Sequence, residues 1–264
     1  MIENRTSCRE TALKKKDSRS ENEHSELEKE RSEPGMECPS FHPKDYFEEN
    51  QLREAAFVYG TSAEQSFEGA AISLPELPQK KQGEYTLEDY HALPEERRVE
   101  LIDGVIYDMA APTTVHQAVI GSLFVQFFAF LKHNKGRCKV LLSPVDVQLD
   151  RDNRTMVQPD IVVICDPEKI DRHCYGAPDL IVEVLSPSTS RKDRILKLRK
   201  YAGAGVQEYW LIDPEDLSVL LSSALPDVQT FSCYTFQDQI PVGIWQGKCI
   251  IDFAEIYEEI RDLL

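Results

Sequence analysis

Two acidic residues stand where acids are costly. In "PDLIVEVLS", Glu183 lies among Leu180, Ile181, Val182, Val184 and Leu185; in "VQPDIVVIC", Asp160 opens a second aliphatic run. An ionised carboxylate in an apolar strand is expensive unless something pairs with it. Glutamate is almost never fully buried unpaired. If the two runs are neighbouring strands, Asp160 and Glu183 can point to the same side at one end of a sheet. Two hard oxygen ligands there, with the carbonyl of Val184 as a third, make a site for magnesium or manganese. The next segment, "SRKDRILKLRKYAGAG", brings Arg191, Lys192, Arg194, Lys197, Arg199 and Lys200 into an otherwise acidic chain. A lysine beside such a metal pair, Lys197, can neutralise a phosphate or orient an attacking water. The other basic residues, Arg191 and Lys192 among them, can position a phosphate backbone.

Each of these residues also has a plainer reading. Asp160 follows a proline and could only cap a turn. Glu183 could be salt-bridged to Lys197 with no chemistry at all. The basic run could be a solvated helix face, His116 a local hydrogen-bonder, and Glu100 of "RRVELIDG" a solvent-facing hairpin residue. The combination favours function: acids in two consecutive core strands, then a lysine on the following helix.

The elements that must carry these side chains can be read coarsely. "TLEDYHAL" has a helix start, with Thr86 as cap and Asp89 three positions on. "VELIDGVIYDM" is a strand, an Asp103-Gly104 turn and a second strand, since Asp-Gly between aliphatic runs is a hairpin signal. "TTVHQAVIGSLFVQFFAFLKHNKG" reads as a long helix capped by Thr113 or Thr114 and ended by Gly136. "VDVQL" alternates, with Val145, Val147 and Leu149 on one face. "VQPDIVVIC" and "PDLIVEVLS" are aliphatic throughout, as strands covered on both faces are. A helix over about 190–204 follows, with Ile195, Leu198 and Ala202 as its buried stripe. Lys197 and Tyr201, four apart, are neighbours on the surface beside that stripe. "EYWLIDP", "SVLLSS", "TFSCYTF" and "GKCIID" are strand-like, and "FAEIYEEIRDLL" is a short closing helix. This order predicts an α/β domain with a central mixed sheet flanked by helices.

Composition bounds the rest. The chain has 264 residues, 41% hydrophobic, with a formal charge of -16. That charge repels nucleic acid and anionic membranes, so any nucleic-acid contact needs a local basic patch. Seven cysteines, an odd number with no CxxC pair, argue against a disulfide framework or zinc ribbon. Free thiols in a reducing compartment are expected; Cys165, His173 and Cys174 are too loosely spaced to argue for a metal. The N-terminus has no apolar leader segment, so a cytoplasmic location is expected. The longest apolar run, residues 118–131, contains Gln126 and is too short to span a membrane, so no membrane partner is expected. Residues 1–40, charged and poor in aliphatics, read as disordered. Residues 41–82 read as a weakly structured extension, and 83–264 as the folded domain. Met36, after "SEPG", is an alternative start that N-terminal sequencing of the native protein would settle.

From Tyr85 to Pro214 the text resembles the Uma-two (Uma2) family of restriction-endonuclease-like proteins, through "YTLEDYHALPEERRVELIDGVIYDM", "APTTVHQ", "VQPDIVVI", "GAPDLIVEVLSPST" and "DRILKLRKYAGAGVQEYWLIDP". The resemblance implies a restriction-endonuclease-like α/β core of the PD-(D/E)xK type with an added N-terminal β-hairpin. It implies that Asp160 and Glu183 bind magnesium and that a lysine assists phosphodiester hydrolysis. Two residues after Glu183 stands Leu185 instead of the lysine of the plain pattern, and Lys197 matches the position from which the family's helix supplies it. Glu100 and His116 match positions around the same pocket; Glu100 would complete the metal shell or position water, and His116 would contact phosphate. Lys192, Arg191 and Tyr201 complete the expected substrate contacts. DNA is the implied partner, and a homodimer is the assembly such enzymes commonly use to cut both strands.

The leading expectation is therefore a metal-dependent endonuclease acting on DNA. The alternative from another class is a catalytically weak or inactive nuclease-fold protein that binds nucleic acid or a partner. The negative charge and the displaced lysine favour it, and a thermal shift with and without manganese discriminates the two.

Overall fold

The computed structural model describes residues 80–94, 96–186, 192–225 and 228–264. The expectations for residues 1–40, for the extension as far as 79, and for Arg191 lie outside the described residues.

A short helix, α1 (Leu87–His91), is closed by the expected capping box: the Thr86 side chain meets the helix, and Asp89 accepts from the Thr86 backbone N–H at 2.8 Å. The hairpin follows as β1 (Val99–Ile102) and β2 (Val105–Asp108), joined through Asp103 at φ 51° and Gly104 at φ 81°. Two consecutive positive φ values make the primed turn that matches strand twist. A Cβ on Gly104 would lie 2.6 Å from the Gly83 carbonyl oxygen, so glycine is required there. The hairpin is not a solvent-facing edge: all four β1 residues are buried, and Leu101 bridges to Met156.

The central sheet has six strands in the order β10-β9-β8-β7-β5-β3. These are β3 (Lys139–Leu142), β5 (Ile161–Ile164), β7 (Leu180–Val184), β8 (Glu208–Asp213), β9 (Ser218–Leu225) and β10 (Val228–Thr235). Only the β7–β8 pair is parallel, so the sheet is mixed, as expected. The "VDVQL" run contributes only β4 (Val147–Gln148), which pairs with β6 (Cys174–Tyr175) outside the main sheet. A last two-stranded sheet joins β11 (Gln239–Pro241) to β12 (Ile250–Asp252).

Alternation along β7 explains both cores. Leu180, Val182 and Val184 face one side, with Trp210 and Ile212 of β8, against the long helix α2 (Thr114–His133). The helix that ends the described chain, α4 (Phe253–Ile260), closes the same core with Phe253, Ile256 and Ile260. Ile181 and Leu185 face the other side, with Leu198 and Tyr201 of the preceding helix in the chain, α3 (Leu198–Ala204). Burying each such side chain contributes roughly 1.5–3 kcal/mol. Helix α2 runs 20 residues, beyond the apolar run 118–131, and by length and composition alone could cross a membrane. Here Val119, Ile120, Leu123, Phe127 and Leu131 pack into the domain, while Val125 and Phe128 are exposed.

The expectation of free thiols fails at one place. Cys138 and Cys165 form a disulfide. The β3–β5 register pairs Lys139 with Ile164, which sets Cys138 opposite Cys165 one step beyond the ladder. Sequence spacing cannot show this, because the pair exists only once the register is known. Among the described residues, Cys174 and Cys249 are buried free thiols.

Candidate active site

Glu183 occupies the fourth position of β7, on the face turned toward α3. The β5–β7 register pairs Ile161 with Val182, which carries Asp160 to the position opposite Glu183. Asp160 Oδ2 accepts from the Val184 backbone N–H at 2.8 Å, which ties the end of β5 to β7. His116, at the third position of α2, brings Nε2 to 3.2 Å from the same oxygen. Thr113 caps that helix end by accepting from the His116 N–H at 3.2 Å.

The segment after β7 departs from the expected single α-helix. Lys192–Lys197 forms a π-helix that runs into α3. Asp193, Lys197, Leu198 and Tyr201 are its buried residues, while Ile195 and Ala202 are only half-buried. The expected apolar stripe is thus largely replaced by a polar one, and Lys197 and Tyr201 point inward. The reason lies across the interface: the sheet offers carboxylates there. Lys197 Nζ lies 2.8 Å from Glu183 Oε1, 2.8 Å from Glu100 Oε1 and 3.3 Å from Asp193 Oδ1. Lys192 Nζ takes the second oxygen of Glu100 at 2.6 Å. Tyr201 donates its hydroxyl to Glu183 Oε1 at 2.7 Å.

The charges in this cluster settle unequally. Burial alone would raise the pKa of Glu100, but the ammonium groups of Lys197 and Lys192 outweigh it and hold the carboxyl at about 2. Burial pushes Glu183 well above the usual carboxylate range; Lys197 pulls against it, while Asp193, Asp160 and Glu100 add to the rise. Burial disfavours the Lys197 ammonium, yet Glu100 and Glu183 hold its pKa above the ordinary lysine value. Glu100 is thus the ionised partner of the lysines, and Glu183 is the acid that lacks a full counter-charge. Glu208, equally buried, makes the contrast: it is satisfied by Trp210 Nε1 at 2.7 Å and the Ile244 N–H at 2.8 Å.

These placements bear on three expected roles. Glu100 has no exposed surface, and both its oxygens are occupied, Oε1 also accepting from the Gln158 N–H at 3.1 Å. It anchors Lys192 and Lys197. Tyr201 is fully buried, with its hydroxyl donated to Glu183. The basic run is not a free phosphate-binding face: Arg194 pairs with Asp213 at 2.6 Å, and Lys200 lies 2.5 Å from both Asp103 and Asp150. His116 and Lys192 do line the pocket, the first holding Asp160 and the second holding Glu100.

That pocket has a volume of about 220 Å³ and is walled by His116, Asp160, Glu183, Lys192, Asp193 and Lys197 with Arg98, Ser143 and Gln158. Its donor set suits a hard cation. The contacts made by Asp160 and Glu183 among the described residues fall on Oδ2 and Oε1, leaving Oδ1 and Oε2 without a partner. Gln158 Oε1 is buried without a hydrogen bond, as is Asp193 Oδ1, whose 3.3 Å approach to Lys197 is a charge contact only. Sequence reading missed Asp193, Gln158 and Arg98. The spacing of Asp193 to Lys197, four residues, and of Arg98 to Glu100, two residues, were the available signals. A separate acidic group, Asp103, Asp150 and Asp152, lies within ligating range of one another but already holds Lys200.

Comparison with known proteins places the chain in a family. The chain is 33% identical over 123 residues to an uncharacterized protein of Synechocystis sp., a match covering 46% of this chain and 63% of that one. The chain thus spans just under two thirds of that relative's length. The fold matches the crystal structure of a putative nuclease belonging to DUF820 from Anabaena variabilis, with a TM-score of 0.56 and 21% identity, over 66% of this chain and 98% of that one. The family model described as "Putative restriction endonuclease" matches residues 87–240, from α1 to β11, and so takes in every residue of the pocket. By that match, across more than half of its length, the chain belongs to the Uma2 family.

Proposed function

We propose that the protein is a metal-dependent endonuclease that hydrolyses phosphodiester bonds of DNA. The observation that carries this reading is the facing of Asp160 and Glu183 across β5 and β7, with Lys197 2.8 Å from Glu183 in the same pocket. Asp160 and Glu183 are the residues that would hold magnesium or manganese, with Asp193 and Gln158 as further oxygen donors lining the same pocket. Such a cation supplies a Lewis acid for the phosphoryl oxygen and lowers the pKa of a bound water. Glu100 keeps Lys197 charged and fixed. Lys197 presents that charge where negative charge develops on the phosphoryl group. Tyr201 holds Glu183 in one orientation, and His116 does the same for Asp160.

A second reading is favoured by one observation: Lys197 is held on three carboxylates at once. A lysine so tied serves a nuclease-fold protein that binds nucleic acid without cutting it. Nicking of supercoiled plasmid by the purified protein, with magnesium or manganese, separates the two. Cleavage abolished by Asp160→Ala and by Glu183→Ala is expected. Cleavage unchanged in both variants overturns the assigned site, and metal-independent binding with no cleavage by the parent favours the binding module.

A further inference from the structure

Three basic side chains line the pocket: Arg98, Lys192 and Lys197. Both lysines are held by carboxylates. Arg98 differs, because among the described residues no carboxylate lies within ion-pair distance of it. Its Nη2 donates to the Ser143 hydroxyl at 3.2 Å, and its Nε is buried without a hydrogen-bond partner. A buried guanidinium donor left unmet is costly, and native structures rarely keep one without a purpose.

The fold aims this group deliberately. Arg98 directly precedes β1, two residues before Glu100, and lines the pocket. The Met109 N–H donates to the Arg98 carbonyl at 3.0 Å, which closes the hairpin base beneath it. Ser143 in turn donates its backbone N–H to the Asp160 carbonyl at 3.0 Å. The guanidinium is thereby indexed, through Ser143, to the strand end that carries Asp160. Guanidinium presents several donors in a planar fork, the geometry that matches phosphate oxygens.

We propose that Arg98 binds the substrate's phosphate group at this pocket, with Ser143 as the residue that positions it. The identity of the substrate as a nucleic acid rests on the endonuclease reading; the anion site itself rests only on Arg98 and its surroundings. A phosphate oxygen would satisfy the unmet Nε donor and supply the anionic partner that Arg98 lacks. Lys192 and Lys197 already have theirs.

The test is calorimetric titration of inorganic phosphate, in magnesium buffer, into the parent, Arg98→Gln, Arg98→Lys and Ser143→Ala, with a melting curve for each. The expected result is binding by the parent and a Kd raised roughly ten- to a hundredfold in Arg98→Gln, the loss of one charge-assisted contact. Arg98→Lys keeps the charge but loses the fork and is expected to weaken binding severalfold. Ser143→Ala is expected to weaken it by less, while melting as the parent does. If Arg98→Gln fails to fold, Arg98→Lys carries the comparison. No phosphate uptake by the parent, or parental affinity in the folded Arg98 variants, overturns the inference. Plasmid cleavage by the parent is read separately. Phosphate binding through Arg98 without cleavage defeats the endonuclease reading and leaves this one standing. Cleavage with parental KM and parental phosphate affinity in Arg98→Gln does the reverse.

Discussion

Glu100 and Glu183 grip Lys197 from two strands of different sheets, each with an oxygen 2.8 Å from its ammonium. The hairpin, the central sheet and the π-helix therefore meet at one nitrogen. Removing that nitrogen leaves two buried carboxylates with less counter-charge. Lys197→Met is expected to cost about 3–5 kcal/mol of stability, the usual penalty for breaking a buried pair. Urea unfolding measures it. A loss under 1 kcal/mol would show that the ammonium is not the hub of the cluster.

Glu100 gives a pH signature. Its folded-state pKa, about 2, lies below the ordinary value of 4.5, so ionised Glu100 favours the folded state. That contribution is fully present above pH 4.5 and is lost as pH falls from 4.5 toward 2. Glu183, raised, works in the opposite direction and loses its contribution as pH rises. Glu100→Gln is expected to be less stable near neutrality and to show a flatter decline between pH 4.5 and 2. Asp89 and Asp252, also lowered, are common to both proteins and cancel in the comparison. Equal slopes in parent and variant would contradict the assignment.

Tyr201→Phe removes only the hydroxyl that Glu183 accepts. The ring stays in its fully buried site, so the loss expected is that of one hydrogen bond to a carboxyl, about 1–3 kcal/mol. If Tyr201 orients Glu183, metal affinity falls in this variant while KM for DNA is unchanged. A raised KM with parental metal affinity would restore Tyr201 as a substrate contact.

The Cys138–Cys165 crosslink closes a loop of 27 residues in sequence. Constraining a chain of that length is worth about 3.5 kcal/mol in the loop-entropy account. Cys138→Ser with Cys165→Ser, or reduction of the parent, is expected to lower the unfolding midpoint accordingly. Identical midpoints with and without reductant would show that the crosslink contributes nothing to stability.

Much of this molecule was legible in its sequence, and the reasons for the misses are physical. Strands β5 and β7 announced themselves because strands covered on both faces are aliphatic throughout. Glu183 stood out against that background, and Asp103-Gly104 marked the hairpin. Strand β3 was missed because "KVLL" is short and only half-buried. The disulfide was invisible because it depends on register. Lys197 and Tyr201 were read as surface neighbours because helix periodicity assumes an apolar partner, whereas the sheet here presents acids. Glu100 drew its expected role from the family resemblance, and its spacing shows nothing of the two lysines that meet its oxygens. Arg98 passed unnoticed as one charge in the "EERR" run, where only the fold separates it from Arg97, which pairs with Asp108 at 3.0 Å instead.

The central claim is that Asp160 and Glu183 form the cation site. Crystals soaked in manganese, with anomalous difference density measured at the metal edge, test it most directly. The account predicts one dominant peak within coordination distance of both Asp160 and Glu183, absent in Glu183→Gln. No peak there, or a dominant peak at Asp103, Asp150 and Asp152 instead, would contradict it.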